Sequence, residues 1–257
     1  MSDSILDLEP PKPDKKITYG DDPLHFAELR LPKKSDASKL WPVVMNIHGG
    51  FWRSRYDLAH AGHLCAALTS AGFATYNIEY RRVGNAGGGW PGSFEDVRNA
   101  YAFLLQHGRG FHCDAKRVLV MGHSAGGQLA LCLAGHEARL TGVISLAGVL
   151  DLQQAYALHL SNDAVVEFLG GTPQQVPEHY REASPITLKV TANQAVIVGA
   201  DDDVVPPEFS RKYAAQKKAA GEHVELAEIP NAGHFQLIDP RTEVFKTVLK
   251  QAQSLLE

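Results

Sequence analysis

Val118-Leu-Val-Met-Gly-His-Ser-Ala-Gly-Gly127 is the stretch of sequence that decides the fold. Its apolar start predicts a buried strand, and residues 125–134 continue as an apolar helix. The segment from Gly122 to Gly126 has the pattern Gly-x-Ser-x-Gly and therefore lies at a strand-to-helix turn. Small residues beside Ser124 permit a tight turn that exposes the serine hydroxyl near a helix N-terminus. Because the bare pattern is common by chance, its place between a strand and a helix is what predicts a nucleophile.

Length and composition predict one globular α/β domain. The chain has 257 residues, of which 44% are hydrophobic and 21% charged, as in ordinary soluble proteins. A net charge of −4 gives no reason to expect nucleic acid or an anionic membrane as a partner. The first residues lack a basic region followed by an apolar run, so we expect no signal peptide. Three cysteines cannot pair completely, which favours reduced thiols in a cytoplasmic protein.

Strand and helix patterns alternate along the chain. Residues 1–14 are acidic and proline-rich and predict a poorly ordered arm, whereas residues 15–257 predict a single domain. Two short alternating runs, 17–19 and 25–31, predict an antiparallel hairpin at a sheet edge. Further strands are predicted at 43–47, 73–80, 140–146, 195–198 and 224–229, and helices at 58–70, 93–106, 205–220 and 243–256. This alternation predicts a mostly parallel central sheet with helices on both faces.

One segment, at about residues 150–185, interrupts the alternation. It is too long for an ordinary strand-to-helix connection and carries two short helical patterns with apolar faces. Because it leaves the edge of the sheet where such folds bind ligands, we predict a small cap over the site. In that interpretation Phe168 and Leu169 cover an acyl pocket and set acyl-chain preference. The alternatives are a peripheral decoration of the fold and an ordinary core position for Phe168.

The segment His48-Gly-Gly-Phe-Trp52 follows an early strand, where an oxyanion loop belongs. Paired glycines allow the backbone to turn its N–H groups towards a developing oxyanion. The predicted donors are the N–H groups of Gly50, Phe51 and Ala125.

Candidate partners for the serine follow later in the chain. Asp201, Asp202 and Asp203 come after a predicted strand, and His234 lies on a loop after the last strand, behind a glycine. Serine, aspartate, histidine is the chain order of α/β hydrolases. Alternation of side chains ends with the strand, so the backbone pattern leaves the choice among the three carboxylates open.

At these residues the chain resembles the α/β-hydrolase superfamily, from about residue 17 to its end. Within it, the chain is similar to the esterase and lipase group that includes hormone-sensitive-lipase-like carboxylesterases and kynurenine formamidases. His48-Gly49-Gly50 matches the group's His-Gly-Gly motif, and Phe51-Trp52 matches the aromatic-Trp continuation of formamidases. Glu79-Tyr80-Arg81 matches its Asp-Tyr-Arg motif with a conservative change.

The chain departs from hormone-sensitive lipases in two respects. Arg82-Val83-Gly84 replaces their Leu-Ala-Pro-Glu continuation, and only a short arm precedes the first strands where those lipases have a helical cap. The resemblance implies the α/β-hydrolase fold. It also implies an acid four residues before a proline, which selects Asp202 before Pro206, with Asp201 and Asp203 as alternatives.

The chemistry implied by the resemblance is acyl transfer to water. Ser124 attacks a carbonyl, His234 moves the proton, and an aspartate orients the imidazole. No metal or organic cofactor is required. His60 and His63 share a predicted helix face, but no third ligand lies at a recognisable spacing, so we expect solvated surface there.

We expect a carboxylesterase that acts on small to medium esters, because apolar and aromatic residues accompany the motifs. The predicted substrate-binding residues are Trp52, His123, Leu150, Phe168, Leu169 and Phe235. An arylformamidase that hydrolyses N-formylkynurenine-type amides is the alternative enzyme, supported by His48-Gly-Gly-Phe-Trp52. A hydrolase-fold protein that binds a ligand without catalysis is the alternative from another class.

Overall fold

Eight strands form one mixed sheet within residues 4–33, 39–137 and 140–256, which the computed structural model describes. The strands are β1 (Lys15–Thr18), β2 (Phe26–Arg30), β3 (Trp41–Ile47), β4 (Ala74–Ile78), β5 (Cys113–His123), β6 (Gly142–Leu146), β7 (Asn193–Gly199) and β8 (Val224–Ile229). Their order is β1-β2-β4-β3-β5-β6-β7-β8. β1 and β2 pair antiparallel, β2 is antiparallel to β4, and the remaining neighbours are parallel. The predicted edge hairpin and mostly parallel sheet are confirmed.

Helices cover both faces of this sheet, as the alternation predicts. They are α1 (Gly62–Ser70), α2 (Gly92–His107), α3 (Ala125–His136), α4 (Leu152–Ala157), α5 (Ala164–Leu169), α6 (Pro177–Ala183), α7 (Glu208–Ala219) and α8 (Val244–Ser254). Successive side chains of a strand point to opposite faces. Val118 and Val120 therefore join a core with α2, α3 and α7, whereas Leu119 and Met121 join a second core with α1 and α8.

Two helix starts differ from the sequence prediction. The helix predicted at 205–220 begins at Glu208, after two prolines. Ser93, the first residue of the helix predicted at 93–106, lies inside α2, which begins at Gly92. Its hydroxyl donates to the carbonyl of Arg81 and accepts the N–H of Gly89. Ser93 thus holds the loop before the helix, a contact that local sequence does not reveal.

The segment predicted as a cap contains three short helices, α4, α5 and α6, where the sequence indicated two. Their buried side chains, which include Leu152, Phe168 and Tyr180, join the same core as α3. The additional helix, α6, begins with Pro177, whose fixed φ suits a first helical turn.

Part of the predicted arm packs against the domain. Residues 1–3 lie outside the described ranges. Ile5 is buried in the core beside α1, and the carboxylate of Asp14 accepts the N–H of Leu31 at 2.7 Å. No helix within the described ranges has the length and apolar composition needed to cross a bilayer.

Candidate active site

Ser124 occupies a strained turn between β5 and α3. Its φ is 56° and its ψ −122°, a left-handed backbone conformation that costs a non-glycine residue about 1–3 kcal/mol. Two close approaches of the backbone make the turn possible. A Cβ on Gly122 would lie 2.1 Å from the carbonyl oxygen of Gly126, and a Cβ on Gly126 would lie 2.1 Å from that of Ile47. Glycine is therefore required two positions before and two positions after the serine.

The predicted oxyanion loop follows β3 in a run of left-handed residues. The φ angles are 112° at Gly50, 50° at Phe51 and 57° at Trp52. Trp52 fixes the end of the loop, because its indole N–H donates to Oε1 of Gln128 on α3 at 2.9 Å. Gly50 and Phe51 line the same cleft as Ser124. The loop is thus held against the helix that begins after the serine.

His234 and Asp202 form a buried pair. Nδ1 of His234 lies 2.7 Å from Oδ2 of Asp202. The other carboxylate oxygen, Oδ1, accepts the N–H groups of Val204 at 2.9 Å and Val205 at 2.8 Å. The carboxylate therefore has a fixed orientation, and it holds the imidazole with Nε2 as its remaining nitrogen. The neighbouring Asp201 and Asp203 side chains are exposed.

A buried ionic network supports the start of the oxyanion loop. Oε1 of Glu79 lies 3.1 Å from Nε2 of His48 and 2.9 Å from a guanidinium nitrogen of Arg82. The hydroxyl of Tyr80 donates to the carbonyl of His48 at 3.0 Å. Burial raises the pKa of Glu79, but the hydrogen bond from His48 and the charges of His48 and Arg82 outweigh burial and hold that pKa below its usual value. Residues of the Glu-Tyr-Arg motif thus anchor the His-Gly-Gly motif.

A cleft of about 250 Å³ brings the candidate residues together. It is lined by Gly50, Phe51, Arg53, Arg55, Tyr56, His60, Ser124, Ser161, Val204, His234 and Phe235. A candidate nucleophile, a candidate base and two candidate oxyanion donors therefore face one space. Such an arrangement suits acyl transfer.

Five of the six predicted substrate-binding side chains lie elsewhere. Phe235 lines the cleft, whereas the other five, each at most 1% exposed, do not: Trp52, His123, Leu150, Phe168 and Leu169. The reason is packing between elements. Trp52 stacks on Phe168 with ring centroids 4.6 Å apart, so α5 closes the core beside the oxyanion loop and holds both side chains away from the cleft.

Sequence reasoning missed several residues that line the cleft. Three of them come directly after the oxyanion motif: Arg53, Arg55 and Tyr56. Their position next to that motif could have indicated that they line the cleft. His60, predicted as solvated surface, is instead partly buried at the cleft with Nε2 2.8 Å from Nδ1 of His123. Among the described residues, no group of three or more His, Cys, Asp or Glu side chains could hold a metal ion.

Arg53 connects the oxyanion loop to the predicted cap. Its guanidinium forms a two-pronged ion pair with Glu167 of α5, at 2.8 and 3.0 Å. It also donates to the hydroxyl of Ser161 and to the carbonyl of Asn162, each at 3.2 Å. Distant segments of the chain thus meet at the edge of the cleft.

Comparisons with known proteins agree with this architecture. A family model described as BD-FAE matches residues 28–216. Esterase LipC of Mycobacterium tuberculosis is 27% identical over 249 residues, 88% of this chain and 60% of that protein. The kynurenine formamidase of Salmo salar is 22% identical, over 87% of this chain and 75% of that protein. The chain thus spans less than two thirds of the length of LipC.

Solved structures show the same fold. A truncated form of a carbohydrate esterase from gut microbiota superimposes with a TM-score of 0.82 at 21% identity, over 93% of this chain and 94% of that chain. The α/β-hydrolase fold expected from the sequence is therefore confirmed.

Proposed function

The chain belongs to the BD-FAE family, and from that premise we propose that it is a serine carboxylesterase that cleaves small to medium esters. The observation that carries the proposal is the 2.7 Å hydrogen bond between His234 and Asp202, beside a cleft that Ser124 also lines. A pocket of about 250 Å³ suits a compact acyl or alcohol group. The esterase LipC is one of the relatives that support this activity.

The first half of the reaction forms an acyl-enzyme. The carboxylate of Asp202 holds the Nδ1–H of His234, so Nε2 is the free base that removes the Ser124 proton. Attack on the ester carbonyl gives a tetrahedral oxyanion, which the N–H groups of Gly50, Phe51 and Ala125 stabilise. Collapse breaks the ester bond, and the imidazolium returns the proton to the departing alcohol.

The second half releases the acid. Nε2 of His234 removes a proton from water, and the resulting hydroxide attacks the acyl carbon. The tetrahedral intermediate collapses, Ser124 regains its proton from the imidazolium, and the carboxylic acid leaves. The enzyme is thereby restored to its starting protonation state.

Replacement of the nucleophile tests the mechanism. Ser124→Ala removes the attacking oxygen, so we expect ester turnover to fall by roughly 10⁶. A fluorophosphonate probe should label the unmodified enzyme once, on Ser124, and leave the variant unlabelled. Near-normal turnover by purified Ser124→Ala contradicts the proposal. Absence of both turnover and labelling in the unmodified chain supports instead a ligand-binding protein with this fold.

An arylformamidase is the second candidate function. It is favoured by the His48-Gly-Gly-Phe-Trp52 segment and by the kynurenine formamidase relative, of which the chain covers 75%. The discriminating measurement is kcat/KM for N-formylkynurenine against 4-nitrophenyl acetate and butyrate. We expect the esters to be preferred at least tenfold, and a tenfold preference for the formamide would replace the esterase proposal.

We also propose a cytoplasmic location. Cys65, Cys113 and Cys132 are buried, unpaired thiols, which suits a reducing compartment. Fractionation of the native host tests this proposal, and recovery of the protein outside the cytoplasm contradicts it.

A further inference from the structure

Three histidines from distant parts of the chain form a row, and the first and last of them, His60 and His234, line the cleft. His60 belongs to the short 3₁₀ turn Leu58–Ala61, His123 ends β5, and His234 follows β8. Nε2 of His60 lies 2.8 Å from Nδ1 of His123. Nε2 of His123 lies 3.1 Å from the backbone carbonyl oxygen of His234. The rings of His123 and His234 are also in contact, with centroids 4.4 Å apart.

The hydrogen-bond partners determine where the protons reside. A backbone carbonyl can only accept, so Nε2 of His123 must carry a hydrogen. In a neutral imidazole the other nitrogen is then bare, and Nδ1 of His123 accepts a hydrogen bond from Nε2–H of His60. Nδ1 of His60 is consequently bare as well. It is buried and has no hydrogen-bond partner among the described residues.

The surroundings keep both rings neutral. The titratable groups around His60 are His48, His123 and His234, with Arg55 and Tyr56 on the same cleft wall. Asp57 precedes the turn that carries His60, and its carboxylate accepts the N–H of Ala59. Burial together with His48 and His234 lowers the pKa of His60 to about 3. Burial, with His234 and His60 nearby, holds the pKa of His123 well below its usual value. Among the described residues, neither His60 nor His123 forms an ion pair with a carboxylate, so no ion pair stabilises a positive charge on either ring.

We propose that His60 is a positioning residue for the catalytic histidine. By donating from Nε2, His60 fixes His123 in the tautomer that donates to the His234 carbonyl, and this bond fixes the loop that carries the base. The inference rests on the proposed function, because it assigns His234 the role of base. Asp202 orients the His234 ring through the hydrogen bond to Nδ1. The His60–His123 pair positions the backbone of His234 through the hydrogen bond to its carbonyl oxygen.

Removal of the His60 N–H donor should lower kcat. Without the His60 N–H, Nδ1 of His123 is a buried acceptor with no partner, so one of the two hydrogen bonds that hold this ring is lost. The ring can then shift towards another donor, which weakens its hydrogen bond to the His234 carbonyl and gives the loop more freedom. Because small misplacements of a catalytic group cost up to about 10²-fold, we expect kcat to fall about 10- to 100-fold.

Histidine NMR tests the tautomers without reference to activity. We expect long-range ¹H–¹⁵N spectra of the unmodified protein to contain two neutral Nε2–H rings that do not titrate between pH 8 and 5. Their signals are assigned by their loss in His60→Gln and His123→Gln. An Nδ1–H tautomer at His123, or titration of either ring near pH 6.5, would overturn the proposal. This readout stands even if the protein is not an esterase.

Paired variants test the positioning role. His60→Gln retains an N–H donor in place of Nε2, whereas His60→Leu retains a similar volume without one. We expect the leucine variant to lose 10- to 100-fold in kcat and the glutamine variant to stay within about threefold of the unmodified enzyme. His63→Leu is the control, because that histidine contacts the Leu8 carbonyl away from the cleft. Equal losses in both His60 variants, or no loss in His60→Leu, contradicts the proposal. Fluorophosphonate labelling of Ser124 shows separately whether the serine is a nucleophile.

Discussion

Three consecutive carboxylates lie between β7 and α7, and Asp202 is the one hydrogen-bonded to His234. We expect Asp202→Asn to lower kcat by about 10⁴, because an amide of the same shape favours the wrong imidazole tautomer. Asp201→Asn and Asp203→Asn serve as controls and should stay within about threefold, since both side chains are exposed. Steady-state kinetics on one nitrophenyl ester measures all three. A larger loss of kcat in Asp201→Asn or Asp203→Asn would assign the role of the catalytic acid to that residue instead.

The residues that local sequence could indicate are those fixed by local backbone geometry. Ser124 belongs to a turn that requires two glycines. One packs against backbone four residues away, and the other packs against the neighbouring strand β3. His60 was misassigned because its environment depends on β5 and on the His234 loop, both distant in sequence. A single residue on a short turn carries no periodic signal that reports such contacts.

At the scale of elements, α5 seals the core over the oxyanion loop. Phe168 is 1% exposed and lies between Trp52 and Trp90, with ring centroids 4.6 and 6.3 Å away. We therefore expect Phe168→Ala to lower the free energy of unfolding by about 3–5 kcal/mol and to leave acyl-chain preference unchanged. Urea denaturation and the ratio of rates on acetyl, butyryl and octanoyl esters measure these effects. A changed ratio of rates with unchanged stability would support the acyl-pocket interpretation from the sequence.

The ion pair between Arg53 of the oxyanion loop and Glu167 of α5 affects the charge at the cleft more than the free energy of unfolding. The Glu167 carboxylate, 47% exposed, neutralises Arg53. The described residues that line the cleft include Arg53 and Arg55 but no carboxylate. Exposed ion pairs contribute at most about 1 kcal/mol, so we expect Glu167→Gln to change the free energy of unfolding by less than that.

The same variant should lower KM about two- to fivefold for an anionic ester, mono-4-nitrophenyl succinate, and leave KM for 4-nitrophenyl butyrate unchanged. High salt should remove the difference by screening. Equal effects on both esters would indicate that Glu167 acts through the position of the cap.

For the whole molecule, alternating strands and helices were sufficient to predict the layered sheet, because parallel strands need crossover helices. The same patterns could not predict where the segment at 150–185 packs. Its helices are six or seven residues long, and although two of them show apolar faces, the pattern does not indicate which part of the molecule those faces cover. Nor could they predict the buried position of Ile5, whose partners lie on α1 and in the second core.

The neutral histidine pair makes the whole fold sensitive to acid. His60 has a folded-state pKa of about 3, below its unfolded value near 6.5, and the pKa of His123 is lowered in the same direction. Between those values the unfolded chain binds more protons than the folded one, so stability is complete above pH 6.5 and is lost as the pH falls. Glu79 adds to the loss only below about pH 4.5, because its folded-state pKa is also lowered.

Each such histidine contributes a slope of at most about 1.4 kcal/mol per pH unit. We therefore expect the free energy of unfolding, measured by urea denaturation, to fall by about 2–4 kcal/mol between pH 6.5 and 5. His60→Gln cannot bind that proton and should lower the slope by roughly half. Identical slopes in the unmodified protein and in His60→Gln would show that His60 is protonated in the folded state. The tautomers assigned to His60 and His123, which require a neutral His60, would then be excluded.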